Sequence, residues 1–530
     1  MNLFSDPVFG KDFFDREEIL QLIQKRIHSF EKGYRQNMAL LGHPFVGKTS
    51  ILFEILHRWG STKISPVYFE IREESPSSFA ERFMASFLFR TEKGEREERE
   101  TVKRGAVYQE AKSLLDHGDI QKGWMRLLDL MDTHVQEIQR PCLMILDEFH
   151  LLEQILGPHA FSALGNKILM HRQVMYILSS SSVSHAREII KTKFNLLFGQ
   201  FEIIPVEPFR AQTAEEFLKD RLSNAWQKSD RSFLIAVTNG SPFYLDVLTK
   251  YLQPSTLLNE PKHAIMECFK AVLFSNQGSL SQYFSSRISS LNDLGHSKNI
   301  RANWLKILLA IAYGHHRITE IISYCNISKN TILQVLKLSL TKNLIEKNGT
   351  FYLCPDPLFR FWIKSVYSYK ALSPGGDFEN REKVFQEDVL KLMKLVIQEN
   401  ETEVHDRISN LLTSFKNDLI LFQNKTVKFP CFQKTAFEQN GTIPHMIGYL
   451  PNSKRWKWLI YANLVQEEDM EAIKGSTQTA EESDQRKIIV ALRGMASNAT
   501  LLAKESKLWA WDLNDLNQLL ELYGKQRIIL

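Results

Sequence analysis

Eight consecutive residues, Gly42-His43-Pro44-Phe45-Val46-Gly47-Lys48-Thr49, carry the densest chemistry in the chain. They fit GxxxxGK[ST] at every fixed position. Glycines let the backbone wrap an anion and turn its N–H groups inward. A helix opening at Lys48, Thr49 and Ser50 adds its positive end. Lys48 has the reach for β- and γ-phosphates, and the Thr49 hydroxyl is a ligand for Mg²⁺. The run 42–50 therefore implies binding of ATP or ADP with Mg²⁺.

A second group lies further along. The apolar run 142–146 (CLMIL) ends in Asp147-Glu148. An acid at that point holds Mg²⁺ through water, and its neighbour polarises an attacking water as general base. Asp147 is accordingly the metal-side acid, and Glu148, with Lys48, the catalytic pair. An acid pair after a strand also caps helices; the phosphate loop upstream favours the catalytic reading. The next apolar run, VMYIL, ends in Ser179-Ser180-Ser181-Ser182. Ser179 and Ser180 are candidate sensors of the γ-phosphate. The other reading has these serines capping the helix that follows.

These groups need a scaffold. NMALL at 37–41 reads as a buried strand ahead of the loop, and SILFEIL as the helix behind it. Further strand candidates at 67–71, 142–146, 174–178 and 201–204 alternate with helical patterns. That alternation implies a parallel sheet covered on both faces, an α/β class. Ahead of it, Ile19, Leu20, Leu22, Ile23 and Ile27 mark an amphipathic helix. The charged run 92–104 reads as a solvated loop or helix end.

Several further motifs occur in an informative order. They are Phe13-Phe14-Asp15-Arg16-Glu17-Glu18-Ile19-Leu20, LDEFH at 146–150, NLLFGQFEIIPVEPF at 195–209, Asn239-Gly240-Ser241-Pro242-Phe243-Tyr244, and Asp356-Pro357-Leu358-Phe359-Arg360-Phe361-Trp362. With the phosphate loop they resemble the archaeal-type ATPase family, a branch of the STAND/AAA-like P-loop NTPases, over residues 9–366. The resemblance implies a nucleotide-switched ATPase. It places Gly240–Pro242 at a helical lid over the nucleotide and Arg16 near the adenine side. Two positions depart from the pattern: Ile19 replaces the usual acid, and Gln200 stands where relatives carry an arginine. Arg187 and Arg210 are the alternative sources of that charge.

Residues 301–366 have the layout of a winged helix-turn-helix. WLKILLAIAY and ITEIISYC precede a third helix capped by Ser328, and a hairpin turns at Asn348-Gly349. Over the whole chain, 66 Lys+Arg stand against 61 Asp+Glu, a net +5. That balance excludes a histone-like protein. Residues 301–370 alone hold ten basic and three acidic side chains, a net +7. Lys329, Asn330, Lys337 and Lys347 are the DNA-contact candidates. An intramolecular clamp is the competing reading of the same module.

The order of elements after about residue 385 resembles a restriction-endonuclease-like domain. The positions that need carboxylates and a lysine read Ile443-Pro444-His445-Met446-Ile447 and Leu459-Ile460-Tyr461-Ala462-Asn463. The chemistry is therefore expected to be lost. The resulting division is 1–210 ATPase core, 211–295 lid, 296–370 winged helix, 371–400 linker and helix (with a turn at 373–376), and 401–530 the endonuclease-like domain.

With 44% hydrophobic and 24% charged residues, the 530-residue chain has the composition of a globular protein. No apolar run reaches a membrane span, and the acidic N-terminus lacks a signal-peptide core. Five scattered cysteines point to reduced thiols, and a cytoplasmic location is expected. Three functions fit: an ATP-dependent regulatory switch, an ATP-controlled DNA-binding protein, and a nuclease-associated ATPase. DNA, a protein partner or a second copy of the chain remain open as partners; a membrane does not.

Overall fold

The computed structural model describes residues 6–87, 101–194, 199, 201–253, 260–289, 298–372, 377–423, 425–439, 443–451, 454–475 and 485–529. Most of the run 92–104, Gln200 and the turn at 373–376 lie outside the described residues. Two units are distinguished. The first comprises Met1–Phe217 with Ser241–Asp246, the second Leu218–Gly240 with Val247–Leu530.

In the first unit, five strands form one parallel sheet: β1 (Asn37–Leu41), β2 (Ser65–Glu70), β3 (Cys142–Asp147), β4 (Val174–Ser180) and β5 (Phe201–Pro205), in the order β2-β3-β4-β1-β5. β1, β3 and β4 are buried at every residue. Alternation explains this. Met38, Leu40, Leu143, Ile145, Met175 and Ile177 join an apolar layer with the helices Glu17–Glu31 and Lys48–His57. Ala39, Leu41, Met144, Leu146, Tyr176 and Leu178 join the opposite layer, with the helices Pro76–Ser86, Ile120–Ile138 and Ala160–Met170. Both faces are covered, so each strand reads as a continuous apolar run. The predicted alternation of strands and helices is realised. Because the strands are parallel, the C-terminal ends of β1, β3 and β4 emerge along one edge, where ligands of open α/β sheets bind.

The second unit begins with helices that include Lys228–Thr238, Pro261–Phe269 and Ser279–Ser289. Three helices follow, Lys298–Ala312, Ile318–Cys325 and Lys329–Thr341, then the hairpin β6 (Glu346–Asn348) and β7 (Phe351–Leu353). Ser328 caps the third helix as expected, accepting from Thr331 N–H at 3.3 Å. A 24-residue helix, Phe378–Glu401, leads to the hairpin β8 (Asp418–Phe422) and β9 (Lys425–Phe429). A mixed sheet closes the chain: β10 (Lys434–Glu438), β11 (His445–Tyr449), β12 (Arg455–Tyr461), β13 (Gln485–Ala491) and β14 (Trp509–Asp512), adjacent in that order. The first two pairings are antiparallel and the last two parallel.

The β6–β7 hairpin is not free. Gly349 sits so close to β8 that a Cβ there would lie 1.8 Å from Leu419 O. Thr350 N–H donates to Leu419 O at 3.2 Å. The Asn348 amide both donates to Leu421 O (3.1 Å) and accepts from Leu421 N–H (2.7 Å). At the base, Arg317 clasps Asp418 with two N–H donors at 2.9 Å each. Tyr523 O–H donates to the same carboxylate at 2.6 Å.

Among the described residues, no helix is long and apolar enough to cross a membrane. All five cysteines are free thiols, and only Cys431 is exposed.

Candidate functional site

The loop leaving β1 is shaped by close approach. A Cβ on Gly42 would lie 2.1 Å from Val206 O and 2.9 Å from Val46 Cγ2, so only glycine fits. Gly47 takes φ 95° as it enters the helix Lys48–His57, a conformation that glycine adopts without strain. His43 and Pro44 are exposed at the tip, Phe45, Thr49 and Ser50 are half-buried, and Val46 is anchored in the core.

Lys48 is 4% exposed. Its ammonium donates to Gly42 O and His43 O at 3.0 Å each, folded back into its own loop. Burial lowers its proton affinity, opposed by the charges of Glu148 and Asp147. Thr49 O–H donates to Asp147 Oδ2 at 2.8 Å, and Tyr68 O–H to the same oxygen at 3.1 Å. Burial, reinforced by the Glu148 charge, raises the Asp147 carboxyl above its ordinary value; Ser179, Thr49 and Lys48 oppose the rise. Ser179 Oγ makes no hydrogen bond of good geometry but lies close enough to Asp147 to favour its charged form.

Glu148 takes φ 53°, an uncommon backbone state outside glycine that turns the residue sharply off the strand. Its Oε2 accepts from Ser181 N–H and Ser181 O–H, each at 2.8 Å, and lies 3.3 Å from His150 Nδ1. Burial would raise its carboxyl; His150 and Lys48, with the Ser181 N–H, outweigh burial and hold it below its ordinary value. His150 Nδ1 also lies 3.0 Å from Ser180 Oγ. The three serines thus divide: Ser179 faces Asp147, Ser180 holds His150, Ser181 holds Glu148. Ser182 stands at the N-cap of the helix Val183–Thr192 but makes no side-chain cap bond, so the capping reading is not realised there.

Arg16 ties the loop down from outside. Its guanidinium donates to Glu207 O at 2.6 Å and Val46 O at 3.2 Å and lies 4.9 Å from the Phe209 ring centroid. From Ser241–Asp246, Ser241 O–H donates to Phe45 O at 3.2 Å, and Phe243 stacks on Phe45 at 4.2 Å between centroids. Pro242 opens the helix Pro242–Leu252 beside them. Arg187 and Arg210 are exposed.

The structure therefore brings the loop, Asp147, Glu148, Ser179, Ser180, Arg16 and Pro242 together in one unit. Ser181, His150 and Tyr68 complete the group and were not singled out from sequence. His150 had a signal: it sits two residues after the acid pair, in LDEFH. Lys329, Asn330 and Lys337 lie exposed along one side of the helix Lys329–Thr341 in the second unit. Lys347 is exposed on β6, its ammonium 5.8 Å from the Tyr352 ring. The +7 of this region is less available than its count suggests. Arg317 is taken by Glu320 and Asp418, Lys370 bonds Asn276, and burial lowers the proton affinity of Lys364.

The donor set suits a phosphate with a hard cation. A glycine-shaped cradle carries one desolvated lysine, and a hydroxyl and a carboxylate oxygen lie together where Mg²⁺ prefers oxygen ligands. Sheet order and loop define an α/β protein with a five-strand parallel sheet in P-loop-like order.

No protein-family model matches the chain, and no curated protein sequence does. Among solved structures, the Walker-type ATPase of Pyrococcus abyssi is 17% identical at a TM-score of 0.48, covering 69% of this chain and 100% of that one. Cdc6p of Pyrobaculum aerophilum is 13% identical at 0.37, covering 74% and 98%. RuvB of Thermotoga maritima is 13% identical at 0.31, covering 69% and 97%. The likeness is one of general arrangement at low identity.

Proposed function

We propose that the chain binds ATP with Mg²⁺ at residues 42–50 and hydrolyses it slowly, as a nucleotide-dependent conformational switch. The observation that carries this reading is Lys48: a buried ammonium whose hydrogen bonds go only to carbonyls of a loop built around Gly42. Such a cation is ready to exchange those carbonyls for phosphate oxygens. Thr49, and Asp147 through water, would hold Mg²⁺, which supplies charge neutralisation on the phosphates. Glu148 is the general base, kept ionised by His150 and Lys48 and oriented by Ser181. Arg16 fixes the loop against β5's exit, and Ser241 and Phe243 meet Phe45, a contact through which nucleotide state can be read. Nucleotide binding and turnover of the wild type, Lys48→Ala and Glu148→Gln test the proposal. Undiminished ATP affinity in Lys48→Ala overturns it.

A second reading, DNA binding under ATP control, draws on the exposed row Lys329, Asn330 and Lys337. With β6–β7 engaged by β8, the third helix and not the wing tip would meet the duplex. Neutralising Lys329 and Lys337 should then weaken salt-sensitive duplex binding; no duplex binding at low salt removes this reading.

The domain limits we propose are 1–210 core, 211–295 lid, 296–370 winged helix, 371–400 connector and 401–530 C-terminal domain. That last domain resembles a restriction-endonuclease-like arrangement without its chemistry. His445 at the start of β11 pairs with Leu459 near the end of β12, where metal-binding carboxylates would be needed. Mg²⁺-dependent cleavage by the purified chain would contradict this.

A further inference from the structure

An open cleft of about 270 Å³ lies against the C-terminal sheet, its lining including Lys425, Arg486, Lys507 and Trp509. Its walls come from the β8–β9 hairpin, the start of β13, and the turn leading into β14. The flat guanidinium of Arg486 lies over the ring of Trp509 at 4.2 Å and over Trp456 at 4.7 Å. Trp509 is fixed in turn: its indole N–H donates to Gln423 Oε1 at 2.8 Å. The Gln423 amide donates to Ala510 O and Asp515 Oδ2, each at 2.7 Å. The result is a stacked Arg486–Trp509 pair in the cleft's lining, held through Gln423.

Lys425, Arg486 and Lys507 are all exposed, and among the described residues no carboxylate lines the cleft. Burial shifts Arg486 downward. Lys507 holds φ 54°, just past the helix Ser497–Glu505, where glycine or asparagine is the usual choice. A lysine occupies that position in spite of its backbone. The cleft also lies away from the endonuclease-like position. Arg486 pairs with Trp456 at the start of β12, whereas Leu459 and Tyr461 are at the other end of that strand.

We propose that this cleft binds single-stranded nucleic acid, with Lys425 and Lys507 on successive phosphates and one unstacked base on the Arg486–Trp509 platform. Three exposed cations along one cleft select a polyanion. A flat guanidinium and an indole select a planar base. An open cleft lets a strand run past, where an enclosed pocket would suit a single nucleotide. A duplex cannot use the platform, because its bases are already stacked.

The test is fluorescence anisotropy of the full chain with a labelled oligothymidylate at low salt. The charge-reversed variant Lys425→Glu/Lys507→Glu should bind at least about tenfold more weakly. Its thermal midpoint and ATP binding should be unchanged, since both lysines are exposed. Arg486→Lys keeps the charge, loses the flat face, and should also weaken binding several-fold. Lys329→Ala/Lys337→Ala should leave single-strand affinity intact, separating this site from the helix-turn-helix. The proposal is overturned by no binding at low salt, by full affinity in the charge-reversed variant, or by equal affinity for a duplex together with full affinity in Arg486→Lys.

Discussion

Lys48 and Arg486 each stand at the edge of an α/β sheet, and their surroundings differ in the way that decides what each can hold. Lys48 is buried with two carboxylates near it and a loop wrapped around it. Arg486 is exposed on two indoles, and no described acid lines its cleft. In the first setting the dielectric is low, each hydrogen bond is strong, and a misplaced group is costly. In the second, water and salt screen the charge, and affinity must be gathered over several weak contacts. The first unit thus concentrates its chemistry in one desolvated point, and the second spreads its charge over a surface.

The comparison breaks most readily at Glu148. Replacing it with glutamine keeps the shape and removes the base, so turnover should fall by about 10²–10⁴ while ATP binding persists. A variant that turns over normally would move the base elsewhere. Lys48→Ala comes next. Losing a buried charge-assisted contact is worth about 2–5 kcal/mol, so ATP affinity should drop by about thirtyfold to several-thousandfold by calorimetry. Comparable losses in the cleft from one exposed lysine would erase the contrast between the sites.

How much of this was legible in the sequence follows the same line. Gly42, Gly47, Lys48 and Thr49 fall within eight consecutive residues, and Asp147-Glu148 ends an unmistakably apolar run, so local spacing carried the core of the site. The partners of Glu148 were harder. Ser181 reaches it because β4 runs beside β3, and which of four serines does so depends on where each strand ends. The docking of Asn348 and Gly349 on β8 was invisible for a different reason. It joins residues 73 apart, the Asn348 side-chain amide meeting the backbone N–H and C=O of Leu421, which every residue type possesses. Charge counting misled in part as well: Arg317 adds to the +7 of its segment, but Asp418, far outside that segment, neutralises it. A net charge by window cannot register long-range pairs.

That pair gives the next test. Asp418 is held by Arg317, Tyr523 and the Lys416 N–H. Asp418→Asn should destabilise the second unit by about 2–4 kcal/mol, read from denaturant unfolding. The pH dependence follows from its direction. Burial raises this carboxyl, but the Arg317 and Tyr523 hydrogen bonds outweigh burial and hold it below its ordinary value. Its contribution is therefore complete above the unfolded value of about 3.9 and is lost as pH falls through the folded one. The wild type should lose its advantage over Asp418→Asn only below about pH 4. An advantage that disappears near neutrality would assign the stabilisation to another group.

The smallest effect is the most direct probe of how the two cationic sites differ. Each phosphate contacted by an exposed cation on a single strand contributes about −0.7 to the slope of log K against log salt. Lys425→Ala should therefore make the slope for oligothymidylate shallower by roughly that amount, a change of only a few-fold in affinity at any one salt. ATP binding by the same variant should keep its affinity and its salt dependence, because Lys48 is desolvated and its field is little screened. If Lys425→Ala leaves the oligothymidylate slope unchanged, Lys425 does not contact phosphate, and the charge on that face is ordinary solvated surface.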